Sequence, residues 1–183
     1  QEIVVPLAND PAWSGQTITR LRLALPKDSG ATFEIDYIKL PQDSFRLKGM
    51  RFNNATSYTI AGSGSLSIEP ELGDGELAAQ SGTHTIAVPL TLTTRVECPV
   101  SSGAALALSG ALSGPGGLAK SGGGTLALNG TGTFSGGVTV GAGVLELNGS
   151  VSSPVTVNGG TLKGGGTVNH DLRIAGGKNA PGS

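Results

Sequence analysis

The sequence predicts an all-β chain: a right-handed parallel β-helix, or β-solenoid, over residues 43–183, preceded by a small antiparallel β-sheet over residues 1–42. Three observations predict it. First, a phrase recurs as Ala105-Leu-Ala-Leu-Ser-Gly110, Thr125-Leu-Ala-Leu-Asn-Gly130 and Val144-Leu-Glu-Leu-Asn-Gly149, nearly evenly spaced along the chain. A near-constant period of short strands and corners is the mark of a stacked array. Second, 23 of the 31 glycines follow residue 100, interleaved with Leu, Val and Thr rather than forming a linker. Third, no stretch carries a sustained helical period with caps; Glu76–Gln80 reads as one helical turn at most.

The elements follow in order. Ile3–Leu7 is a strand candidate, and Asn9–Gly15 is a turn-rich loop. Thr17–Leu25 and Ala31–Leu40 alternate apolar and polar residues, the pattern of an antiparallel sheet with one wet face. Beyond residue 43, strands are expected at Met50–Asn53, Ser57–Ile60, Ser65–Ile68, His84–Val88 and Leu90–Thr93. Within each phrase, alternation turns one set of side chains inward, as with Leu126 and Leu128 against Thr125 and Ala127. Asn and Gly at its end are expected to supply the left-handed backbone of a corner. Pro154–Gly160 and Thr161–Gly166 read as weaker echoes. Strands stack ~4.8 Å apart, so residues from 45 onward amount to about seven coils. Their interior is expected to be a column of Leu106, Leu108, Leu126, Leu128, Val138, Val140, Leu145, Leu147, Val155, Val157, Leu162, Val168, Leu172 and Ile174.

Composition excludes some functions. The net charge is −1, and no basic face for nucleic acid is present. No apolar run approaches the ~18 residues of a membrane span. A single cysteine, Cys98, excludes an internal disulfide. The chain opens on Gln1 rather than Met, as a processed, trimmed or fragmentary chain does.

Two stretches resemble known families. Gly117–Gly149, which holds two copies of the phrase joined by Thr131-Gly-Thr-Phe-Ser-Gly-Gly-Val-Thr-Val140, resembles the autotransporter-associated β-strand repeat; the likeness extends over about 45–183. The terminal Gly177-Lys-Asn-Ala-Pro-Gly-Ser183 resembles the short turn that closes such a repeat. This resemblance implies a β-helix of the bacterial passenger type, extracellular or at the cell surface, and implies no catalytic residue. Residues 1–40, through Trp13–Leu25 and Phe33–Ile38, are similar to the C-terminal strands of a carbohydrate-binding-like jelly roll. The front half of such a module is missing, so sugar binding does not carry over.

Candidate sites are few. Trp13 and Tyr37 could stack on a sugar, with packing of a small sheet as the competing reading. Glu69, Glu71, Asp74 and Glu76 form an acidic loop that could hold calcium, though its spacing is neither that of an EF-hand nor that of the Gly-Gly-x-Gly-x-Asp repeat, and a solvated loop is the plainer reading. His84 and His170 lie far apart without ligand spacing, so no metal site is expected. Glu146 and Asp171, the carboxylates of the regular array, could fall one coil apart as an acid/base pair, against the plainer reading of surface solubility. Asn54, Asn129 and Asn148 begin Asn-x-Ser/Thr triplets. No catalytic residue and no cofactor are expected.

These readings lead to a structural component of a secreted or cell-surface bacterial fibre or adhesin, with end-to-end homopolymer contacts and possible glycan partners. The alternatives are a carbohydrate-binding module on a solenoid stalk and a β-helix polysaccharide-degrading enzyme.

Overall fold

The structure is a computed structural model and describes residues 18–24, 32–38 and 44–181. The described residues contain strands and no helix, so none is long and apolar enough to cross a membrane. They form a three-sided β-solenoid of seven coils.

Each coil contributes one strand to each of three sheets. The first face stacks Ser44–Leu47, Ser65–Ile68, Leu90–Leu92, Leu112–Ser113, Thr131–Gly132, Ser150–Val151 and Thr167–Val168. The second stacks Gly49–Asn53, Gly75–Ser81, Val96–Pro99, Leu118–Ser121, Val138–Val140, Val155–Val157 and Leu172–Ile174. The third stacks Thr59–Ile60, Thr83–Ile86, Ala105–Leu108, Thr125–Leu128, Val144–Leu147, Thr161–Gly164 and Lys178–Pro181. All coil-to-coil pairings are parallel, and the three copies of the recurring phrase lie in register on the third face, Leu106 on Leu126 on Leu145.

The aliphatic column is as the alternation requires. Leu106, Leu126 and Val157 are 0% exposed, and Leu108, Leu128 and Leu147 are buried beside them. Full burial of each such side chain is worth about 1.5–3 kcal/mol. The last coil departs from the expectation. Leu172 and Ile174 are 42% and 40% exposed and Val168 is half-buried, because among the described residues this coil has a neighbour on one side only.

Other expectations are corrected. Glu76–Gln80 is no helical turn: Gly75–Ser81 is a strand, and its buried Leu77 and Ala79 belong to the core. A side chain on Gly75 would overlap Ile68, which is why glycine begins that strand. The first weak echo, Val155–Val157, stacks on Val138–Val140 of the second face; only the next one, Thr161–Gly164, continues the third. Lys178–Pro181 is a strand paired with Thr161–Gly164 rather than a closing turn.

Coil length is uneven. Phe45, Leu66, Leu90, Leu112, Gly132, Val151 and Val168 occupy one register position in successive coils of the first face. The interval from Leu66 to Leu90 is the longest and that from Val151 to Val168 the shortest. The longest coil accommodates the acidic loop.

The expected antiparallel strands are present as Ile18–Ala24 and Thr32–Ile38, paired from Ile18↔Ile38 to Ala24↔Thr32. The candidate Ile3–Leu7 lies outside the described residues. Thr32–Ile38 pairs antiparallel with Gly49–Asn53, so both strands extend the second face beyond the first coil.

The corners use glycine for two reasons. At the second corner, between the second and third faces, Gly122 and Gly143 have φ of +73° and +69°, a backbone that side chains oppose. At the third corner, which leads into the next coil, the glycines do not supply the expected left-handed backbone: Gly110, Gly130 and Gly149 are not among the positive-φ glycines. There a Cβ on Gly130 would overlap the Gly110 carbonyl, and one on Gly149 the Gly130 carbonyl. Close stacking, not handedness, requires those glycines.

Candidate functional site

The residues singled out from sequence do not converge. Trp13 lies outside the described residues. Tyr37 falls on Thr32–Ile38, one residue beyond the Asp36↔Gly49 pairing. The acidic loop is divided. Arg46 holds Glu69 at 2.9 Å and Arg51 holds Glu76, already within a strand, at 2.7 Å. The loop between them projects into solvent, with Leu72 89% exposed. Among the described residues no three His, Cys, Asp or Glu side chains gather as a metal site would require.

Glu146 and Asp171 do not form the pair that spacing allowed, because Glu146 lies on the third face and Asp171 immediately precedes the strand Leu172–Ile174 of the second. Lys163 binds Glu146 at 3.1 Å, and hydrogen bonds from Lys163 and Asn148 hold its carboxyl below the usual range. The N–H of Asp171 donates to Nδ1 of its neighbour His170, and both side chains face solvent.

The unusual chemistry lies inside, at two positions where a basic side chain occupies the apolar column. His84 stands where Leu106, Leu126, Leu145 and Leu162 stand in later coils. It is fully buried and stacks on Phe52 and Tyr58, with ring centroids 4.6 and 5.5 Å away. Its Nδ1 accepts the Tyr58 N–H at 3.2 Å, so Nε2 carries the proton it donates to the Ser81 carbonyl at 2.7 Å. Both ring nitrogens are satisfied within the chain, which leaves no free position for a ligand.

Lys120 is the second such position, stacked between Cys98 and Val140. Its side chain is 1% exposed and reaches along the strand to the second corner. There Nζ donates to the carbonyls of Ser121, Gly122 and Ala142 at 2.6, 2.7 and 3.2 Å. Three acceptors match the three protons of an ammonium. Burial pushes its pKa down to about 8, with Cys98 pulling the other way. The Cys98 thiol is pushed up to about 12, chiefly by burial and secondarily by Glu97. A thiol so protonated and enclosed is a poor nucleophile.

Sequence periodicity misses both roles. Lys120 carries a signal: Leu118 opens its strand facing inward, and two residues on is inward again. His84 carries only the register with Leu106, which no spacing between phrases reveals.

Together the fold and these interior positions define a class, the three-sided parallel β-solenoid with a closed, mainly aliphatic core. Comparison with family models, curated proteins and solved structures finds no match for the chain.

Proposed function

We propose that this chain is a structural scaffold, part of a secreted or cell-surface bacterial fibre or adhesin, and not an enzyme. The observation that carries the reading is the stack of seven coils around one apolar column, with a register shift between Phe52 and Asn53 where the first coil meets the second. Such a stack is a rigid spacer whose length is set by coil number. The likeness of Gly117–Gly149 to the autotransporter-associated repeat supplies the extracellular setting. Antibody labelling of intact source cells tests it: surface label is expected, and label that appears only after lysis overturns it.

Self-association through the solenoid ends belongs to the same proposal. Among the described residues, Leu172 and Ile174 are more than a third exposed where Val155 and Val157 beneath them are buried, and a parallel edge of this kind favours further stacking. Light scattering against concentration, with Leu172→Asp as comparison, should show growth that the variant abolishes. A full-length chain that stays monomeric at high concentration removes the idea.

A further inference from the structure

We infer that Asn158 is a site of spontaneous deamidation, and that the same Asn-Gly dipeptide is protected at Asn129 and Asn148. The chain contains these three Asn-Gly pairs. In the reaction, the backbone nitrogen of the following glycine attacks the asparagine Cγ. The bond from Cγ to the side-chain nitrogen breaks, and ammonia leaves with the proton lost from the backbone nitrogen. Water then opens the resulting cyclic imide at either carbonyl, giving aspartate or isoaspartate. Water is the sole co-reactant. The side chain must first swing over its own backbone, so whatever anchors the side-chain amide slows the step.

The three pairs lie in two kinds of corner. Asn129 and Asn148 belong to the third corner, stacked above Ser109, as the pairing of Leu108, Leu128 and Leu147 requires. Asn148 Nδ2 donates to Asn129 Oδ1 at 2.9 Å, and Asn129 Nδ2 donates to Ser109 Oγ at 3.3 Å. Glu146 Oε1 accepts from Asn148 as well, at 3.3 Å. Each of these amides must break side-chain hydrogen bonds before it can turn. Asn158 lies at the second corner. The pairing of Val140, Val157 and Ile174 places it between Gly141 and Ala175, neither of which has a polar side chain. It is exposed, and its amide makes no side-chain hydrogen bond among the described residues.

Backbone protection points to a different order. The attacking nitrogens of Gly130, Gly149 and Gly159 donate to carbonyls of the coil below at 3.4, 3.0 and 3.1 Å. If that bond governed the rate, Asn129, with the longest one, would react first. If the side-chain ladder governs it, Asn158 reacts first. Isoaspartate would add a methylene to the main chain beside the Asn158 and Gly159 N–H bonds to Val140. The junction between the fifth and sixth coils would loosen as the protein ages.

The test is incubation of the full chain, folded, at mildly alkaline pH, followed by peptide mapping for the replacement of NH2 by OH. Conversion at Asn158 several-fold faster than at Asn129 and Asn148 is expected, with the three rates converging in urea. Asn148→Ala should accelerate Asn129 and leave Asn158 unchanged. Equal rates in the folded chain, Asn129 reacting first, no conversion at Asn158, or an Asn129 indifferent to Asn148→Ala would each overturn the inference.

Discussion

The second and third faces bury equivalent positions of the same coils and treat charge differently. On the third face, coils three to five place leucine at both inward positions of each strand, as in Leu126 and Leu128. On the second, one column runs Cys98, Lys120, Val140, Val157. The contrast arises at the corners. Beyond Lys120, the carbonyls of Ser121, Gly122 and Ala142 turn to meet an ammonium. Beyond Leu128, the Leu128 carbonyl already accepts the N–H groups of both Asn148 and Gly149. A buried charge is tolerated here only where the main chain supplies partners of the right kind.

Placing a charge on the third face should break this comparison most severely. Leu128→Asp puts a carboxylate among aliphatic neighbours, where the nearby N–H donors are committed to Leu108 and Leu128 carbonyls. Such a charge costs several kcal/mol unless neutralised, so loss of the cooperative melt is expected by circular dichroism. Thr125→Asp, on the outward side of the same strand, should shift the melt by no more than about 0.5 kcal/mol equivalent. Equal effects would refute the inward register.

A smaller effect should separate the uses of glycine. Gly130→Ala forces a Cβ into the Gly110 carbonyl and is expected to destabilise by about 1–3 kcal/mol in denaturant titration. Gly165→Ala meets open space at an ordinary φ and should be neutral or slightly stabilising.

The smallest effect concerns pH and sharpens the account of the second face. Lys120 loses its proton near pH 8 when folded and near its ordinary 10.5 when unfolded. Between those values the unfolded chain binds more protons, so this group makes stability rise with pH. Cys98 behaves oppositely. Its folded pKa of about 12 lies above that of an unfolded thiol, so stability falls as pH rises through alkaline values towards 12. In the parent chain the two slopes should largely offset one another between about pH 9 and 10.5. Cys98→Ala should expose the rise, and Lys120→Met the fall, in melts followed across that range. Two variants with the same alkaline profile would show that these groups are not buried as described.

Much of this was legible in the residues. Leucine alternation within the repeated phrase located the strands of the third face, and the count of about seven coils followed from strand stacking. What stayed hidden has physical causes. Periodicity reports that Val155–Val157 is a strand but not which face it joins, because strands on all faces alternate alike. Ala78 and Ala79 suit a helix as well as a sheet, so Gly75–Ser81 was obscured until packing against Ile68 and Val96 decided it. Lys120 and His84 were hidden by the rule that polar residues face water, which their backbone partners override. The split of Glu69 from Glu76 depends on which arginine each meets in the preceding coil.

The uneven spacing of the coils has a consequence for how such a chain can grow. The strands keep their register while the interval shrinks from Leu66–Leu90 to Val151–Val168, so the difference is absorbed by the loops. Where neighbouring intervals nearly match, as on either side of Gly132, a duplicated unit would meet partners of its own size above and below. Beside the Leu66–Leu90 interval, a copy would bring a second acidic loop over the first. Gene-level duplication should therefore lengthen the rod from its middle, leaving the early coils as a fixed, unrepeatable base.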